Sequence, residues 1–142
     1  MISTTAERVT SNTRPDINAW IWQQTEERMR DVASHGRFAI EHRLRELDEE
    51  WDVERYLETM APTFTLVGLT LGVLKDRRFL LLPFIIQSFF LQHALQGWCP
   101  PLPLLRQMGV RTAQEIEQER CALEHHLATL CDDEPCLYSS DV

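Results

Sequence analysis

Two residues near the end of an apolar run have the chemistry of a nucleophile and a base: Cys99 and His93, in FLQHALQGWCPPLPLLRQMGV, residues 90–110. A cysteine attacks as its thiolate, which needs a cation, a helix N-terminus or a base beside it. His93 lies six residues before Cys99, about 240° away round an α-helix, so on a continuous helix the two face different directions. They pair only if the helix breaks at Gly97. The other reading is structural. Gly97, Trp98, Cys99, Pro100 and Pro101 then mark a helix leaving a membrane, with Trp98 at the interface and the prolines enforcing an extended exit. His93 would then bond a neighbouring helix or sit in the headgroup layer, as its place four residues before Gly97 allows. The residues favour the membrane exit, and Cys99 with His93 is kept as the candidate for catalysis.

A second group lies near the C-terminus. Cys121 and His125 are four apart and share a helix face. Cys131 and Cys136 would complete a tetrahedral zinc site if the chain turned back at Pro135. The spacing matches no standard zinc module, so no metal and no cofactor is expected. There is no Gly-rich phosphate loop, no HExxH and no nucleophile elbow. The acids of EHRLRELDEEWDVER read as a solvated charged face. The expectation is a protein that is not an enzyme.

The elements that would position these residues follow from an uneven distribution of charge. Overall, 44% hydrophobic and 25% charged residues are ordinary for a soluble protein. Yet from Thr59 to Leu105 the charges are confined to Lys75, Asp76, Arg77 and Arg78, with His93 besides. The uncharged run Thr59–Leu74 is roughly 24 Å long as a helix and Phe79–Gly97 roughly 28 Å, against a hydrocarbon core of about 30 Å. Lys75-Asp76-Arg77-Arg78 joins them as a tight turn, giving two antiparallel spans. Gly68 and Gly72 form a GxxxG motif, a flat face for another helix backbone. The competing architecture is a soluble helical module with the same hairpin as its buried core; the short first run, its threonines and the ordinary composition favour it. The bulk of FLLLPFIIQSFFLQHAL on all sides favours the membrane.

Before the hairpin, Pro15 suits a first helical turn. Ile17, Trp20, Ile21, Met29 and Val32 then give an amphipathic helix over about 16–34, ending near Gly36. Ile40, Leu44, Leu47 and Trp51 form the seam of a second helix, and Asp52 is placed to cap a third. Pro62 is expected to kink that third helix. The fold class is all-α: a two-span transmembrane hairpin with an N-terminal amphipathic arm and a short C-terminal helix. The expected divisions are a disordered segment 1–14, an arm 15–55, a hairpin 56–105 (spans about 57–74 and 79–97, turn 75–78), and a C-terminal helix with a loose tail, 106–142.

A net charge of −8 without a basic stripe argues against nucleic acid. The polar start MISTTAERVTSNTRPD offers no cleavable secretory signal. Four irregularly spaced cysteines do not make a secreted disulfide framework. Counting Lys and Arg near the spans, Arg43, Arg45, Arg55, Arg106, Arg111 and Arg120 on the tails outnumber Lys75, Arg77 and Arg78 in the turn, which favours cytoplasmic tails.

HALQGWCPPLPLLRQMGVRTAQEIEQER resembles the YgaP-like inner-membrane domain, a family of unknown function. The resemblance covers about residues 55–122. It rests on the Gly-x-Cys-Pro segment Gly97, Cys99, Pro100 and on the run Leu104, Leu105, Gly109, Val110, Thr112. LRELDEEWDVERYLET is similar to a longer bacterial subgroup with a helical arm. The resemblance implies a bacterial inner-membrane protein with both termini cytoplasmic. Some relatives carry a rhodanese domain that this chain lacks, so no sulfurtransferase activity carries over. The leading expectation is a non-enzymatic structural or interaction protein, its partners the lipid bilayer and a second copy bound through Gly68 and Gly72 or through the arm. The alternatives are a membrane-associated thiol or sulfur-handling protein using Cys99, and the soluble interaction module.

Overall fold

The computed structural model describes residues 8–130 in full and the helical backbone of 131–133. Among the described residues every regular element is a helix. They are α1 (Arg8–Ser11), α2 (Pro15–Ser34), α3 (Arg37–Glu49), α4 (Val53–Leu74), a 3₁₀ turn (Arg77–Leu80), α5 (Leu81–Gln96), α6 (Leu102–Gln107) and α7 (Ala113–Asp133). The chain is therefore all-α, and two of its segments, one ending at Leu74 and the other Arg77–Gln96, are long and apolar enough to cross a membrane.

The boundaries have local causes. Pro15 opens α2, where its missing N–H would have had no helical partner. Asp52 caps α4 by accepting the Arg55 N–H at 2.7 Å. Thr112 and Glu115 form a reciprocal capping box on α7: Thr112 Oγ1 accepts the Glu115 N–H at 3.2 Å, and Glu115 Oε2 accepts the Thr112 N–H at 2.8 Å. Gly109, at φ +83°, ends α6 in the left-handed region, and the Val110 N–H then reaches back to the Leu105 carbonyl.

α4 packs antiparallel against the 3₁₀ turn and α5. Gly68 and Gly72 are buried in that contact. A Cβ on Gly68 would lie 2.6 Å from Pro83 Cδ, and one on Gly72 2.5 Å from Leu80 Cδ2. The GxxxG face is thus filled within the chain by Pro83 and Leu80. Pro62 lies inside α4, which continues through it. Thr59, Thr63 and Thr70 each give their hydroxyl to the carbonyl four residues back, and Ser88 does the same on α5. Thr65 accepts Gln87 Nε2 across the hairpin at 2.8 Å.

The arm seam closes on α7. Ile40 and Leu47 are buried with Ile116 and Leu123, and Met29, Val32, Leu44, Leu127 and Leu130 pack round them. So α2, α3 and α7 make one three-helix bundle, where an arm 15–55 separate from a C-terminal segment 106–142 was expected. The reason is that α7 carries its own apolar stripe and is turned back by the Gly109 bend. Trp51 leaves the seam: α3 stops at Glu49, and the indole meets Tyr56 while Arg55 lies 4.6 Å over its ring.

Four charged side chains form a network where the bundle meets the hairpin, with Glu119 and Arg111 buried and Arg43 and Glu50 partly so. Glu119 has a side chain 0% exposed and bonds Arg43 Nε at 2.9 Å and Arg111 Nη1. Arg111 also holds Glu50 through Nη2 at 2.6 Å, and Arg43 reaches Glu50 at 3.2 Å. An unpaired buried ion costs several kcal/mol, so two arginines and two glutamates must arrive together. The sequence reading had Arg43 and Glu50 on a solvated face. Their partners lie on the far side of the hairpin in sequence, which hides the network. Nearby, buried Arg106 grips both Glu115 oxygens at 2.7 Å and reaches Asn18 on α2 at 2.8 Å.

Segment 1–14, expected to be disordered, contains α1, with Val9 buried among Val53, Leu57, Cys99, Leu102 and Leu105. The polar residues round Val9 conceal this. They are used on the end of α5, where Arg8 Nη1 donates to the Ala94 carbonyl and Asn12 Nδ2 to the Gln96 carbonyl at 2.9 Å. Carbonyls in a last helical turn lack helical partners, so a short donor-rich segment is held there.

Burial pushes the Glu119 carboxyl up, but hydrogen bonds and charge from Arg43 and Arg111 outweigh it and hold it below its ordinary value of 4.5. Glu115 is likewise raised by burial and brought lower still by Arg106 and the Thr112 N–H. A carboxyl depressed in the folded state contributes stability that is complete above its unfolded pKa and is lost as pH falls through the folded one. Unfolding followed by helical circular dichroism should therefore show stability declining below about pH 4.5. Glu119→Ala should lower stability by about 3–5 kcal/mol at neutral pH, with most of the acid sensitivity lost. In the hairpin, Gly72→Val should cost about 1–3 kcal/mol by overpacking against Leu80, while Val73→Leu on the outer face should melt as wild type.

Candidate functional site

The junction between hairpin and bundle brings together the two residues that a continuous helix keeps apart. α5 stops at Gly97, which takes φ +72° and donates its N–H to the His93 carbonyl at 2.7 Å. A left-handed residue reverses the chain, and a Cβ there would collide with Arg8, so glycine is required for both reasons. Trp98 then turns outward, half-exposed, while Cys99 turns inward and is 2% exposed. Pro100 and Pro101 lead directly into α6, whose Leu102 N–H bonds the Cys99 carbonyl at 3.1 Å. The extended exit expected of the prolines is replaced by a helical one, because Pro101 sits at the N-cap of α6 in helical geometry and needs no N–H there.

His93 is buried, 3% exposed, and its Nε2 lies 3.1 Å from Glu54 Oε2 at the start of α4. The Cys99 thiol is the other side chain that interacts with the imidazole, without the geometry of a formed hydrogen bond. With Nε2 on Glu54, the other ring nitrogen, Nδ1, has no hydrogen-bond partner among the described residues. Glu54 is close to half-exposed. The half-exposed Glu54 carboxylate thus pairs with a buried imidazole, and the buried Cys99 thiol also acts on that ring. An orienting acid, a base and a nucleophile are the groups that cysteine chemistry uses.

Beyond the thiol lies an apolar cavity of about 260 Å³, lined by Leu57, Met60, Ala61 and Phe64 of α4, by Ile86, Phe89 and Phe90 of α5, and by Cys99, Pro100 and Pro101. It opens on the outer apolar face of the hairpin, to which Phe64 and Phe89 belong. Glu54 was not among the residues singled out from sequence. The signal for it is the antiparallel hairpin itself, in which the first turn of one helix must lie beside the last turn of the other.

The remaining candidates are not brought together. Cys121 and His125 are exposed on α7, and the Cys121 thiol bonds Glu117 Oε1 at 3.6 Å. The Cys131 side chain and Cys136 lie outside the described residues. Among the described residues no three His, Cys, Asp or Glu side chains converge in a metal-binding arrangement.

Within residues 97–112 each motif position has a local role, apart from Leu104, which is exposed. Gly97 reverses the chain, Cys99 is buried, Leu105 is a core residue, Gly109 bends α6 and Thr112 caps α7. No protein-family model, curated protein or solved structure matches the chain.

Proposed function

We propose that the protein is a two-span integral membrane protein in which α4 and the segment Arg77–Gln96 cross the bilayer and hold a charged three-helix bundle at its surface as an interaction module. The observation that carries this reading is the inverted burial of the hairpin. Leu66, Val73, Leu74, Leu81, Phe84, Leu91 and Leu95 all face outward, each more than half exposed, while the buried positions between the two helices include two glycines and a proline. A core helix of a soluble protein buries its apolar residues instead; only 22% and 11% of the two apolar windows are buried here.

Lengths and polar groups support the same reading. The uncharged part of α4 from residue 59 to 74 is roughly 24 Å long, and residues 79–96 of the 3₁₀ turn and α5 roughly 28 Å, against about 30 Å of hydrocarbon. The hydroxyls of Thr59, Thr63, Thr70 and Ser88 and the Gln87 amide have partners inside the hairpin, as a medium without water requires. Further parts of the proposal are the bacterial inner membrane, cytoplasmic termini, a non-enzymatic role and membership of the YgaP-like family. They rest on the distribution of Arg and Lys and on the Gly97–Thr112 motif. A second reading, thiol chemistry at Cys99, is favoured by the grouping of Glu54, His93 and Cys99.

Alkaline carbonate washing of membranes carrying the expressed protein should leave it in the pellet, extractable only by detergent. Release into the wash would show the hairpin to be a protein–protein core. Phe84→Arg places a charge on the outward face at a cost of about 2.5–3.5 kcal/mol for insertion and should shift the protein toward the soluble fraction. An equal charge at exposed Glu27 (Glu27→Arg) should not.

A further inference from the structure

We infer that Cys99 is an S-acylation site: its thiol accepts a long acyl chain from an acyl thioester, and the chain lies in the apolar cavity between α4 and α5. The inference rests on the membrane reading above and assigns a chemistry to its second site.

Four observations converge. The thiol is in the cavity wall, where every other lining residue is apolar. The same wall includes Phe64 and Phe89 of the lipid-facing belt, so an acyl chain bound there continues into hydrocarbon without crossing a polar barrier. Behind the thiol stands a buried imidazole whose Nδ1 has no partner among the described residues. A buried ring nitrogen left without a hydrogen bond is unfavourable in a purely structural histidine, and it is what a base waiting for a thiol proton looks like. Finally, Glu54 holds the far nitrogen at 3.1 Å and opens to water, the side from which the polar carrier of an acyl thioester would approach. An apolar cavity at the cysteine and a half-exposed acid on the histidine that acts on it suit a substrate that is itself apolar at one end and polar at the other.

The step balances without an external oxidant or reductant. His93 takes the Cys99 proton, Glu54 stabilises the resulting imidazolium, and Cys99 Sγ attacks the acyl carbonyl carbon. The new bond is Cys99 Sγ to acyl carbon, and the bond broken joins that carbon to the carrier sulfur. The carrier thiolate leaves with the proton returned from His93. One thioester replaces another, so the acylated protein is stable until a thiol or hydroxylamine cleaves it.

The test uses the full chain with Cys121, Cys131 and Cys136 replaced by serine, reconstituted in phosphatidylcholine vesicles and incubated with palmitoyl-coenzyme A. Intact mass should show one hydroxylamine-sensitive acyl group, absent after Cys99→Ser. The rate should fall about a hundredfold in His93→Gln, as expected for loss of a general base. It should fall roughly tenfold in Glu54→Gln, which keeps an acceptor for His93 and removes only the charge. Acetyl-coenzyme A should react at least tenfold more slowly than the palmitoyl donor if the cavity binds the chain. Flotation and helical circular dichroism are read on the same samples, and the half-exposed Glu54 variant keeps the test meaningful if His93→Gln misfolds. A protein that floats yet takes no acyl group overturns the acylation and leaves the membrane reading standing. Acylation at equal rates in wild type and in a folded Glu54→Gln, or equal rates with acetyl and palmitoyl donors, also overturns it. A protein that does not float overturns both.

Discussion

A helix that stops leaves its last carbonyls without partners, and the arrangement of this chain round the end of α5 follows from meeting that requirement. Gly97 donates back to His93, while Arg8 and Asn12 of the N-terminal segment cover the Ala94 and Gln96 carbonyls. Holding α1 there buries Val9, which completes the apolar cluster round Cys99. Reversal at Gly97 sends α6 back under the hairpin and lets α7 reach α3. Without the left-handed glycine the thiol would point away from His93, α1 would have nothing to cap, and α7 would have no route to the bundle.

The second organising force is electrostatic and acts on the bundle. Arg43, Glu50, Arg111 and Glu119 come from α3, its C-cap, the α6–α7 connection and α7. Each ion is costly to bury alone, so the set stabilises only the arrangement in which all four meet. Buried charge of this kind specifies geometry more than it adds stability. Apolar contacts among Ile40, Leu47, Ile116 and Leu123, at roughly 1.5–3 kcal/mol for each buried side chain, supply the driving force. Arg106, pinned to Glu115 and Asn18, extends the same logic to the first turns of α2 and α7.

What could be read from sequence was what depends on neighbours along the chain. The two apolar runs, the turn at Lys75–Arg78, the Asp52 cap and the Ile40–Leu47 seam follow from composition and period, and the helices appear where those signals lie. The GxxxG glycines were recognisable as a packing face, but not the surface that fills it, because Pro83 and Leu80 present no special signal. Cys99 and His93 were identified as chemistry-bearing residues and kept apart by helical geometry. One backbone dihedral at Gly97 decides whether that geometry applies. Glu54 and the ion network escaped because the links Glu54–His93, Glu50–Arg111 and Arg43–Glu119 join residues 39, 61 and 76 apart in sequence. A charge on a helix with the period of a solvated face looks the same whether its partner is water or an arginine from another element.

Polarity is graded along the hairpin, and the gradient bears on which solvent surrounds it. Over the outer part of α4 and α5, side-chain hydroxyls are spent on the carbonyls of their own helices, and Gln87 bridges to Thr65 across the hairpin. Such a bridge between exposed groups contributes little in water, where each partner has water to bond instead; in hydrocarbon it removes an unsatisfied amide. Nearer the bundle the first ionisable pair appears, Glu54 with His93, and beyond it the fully ionic network of the bundle. Cys99 lies at the step between these regions, with apolar side chains in front of it and titratable ones behind. A boundary of this kind keeps a thiol away from bulk water while leaving a route for its proton, and it is the place in this fold where an apolar electrophile and a base can reach the same atom.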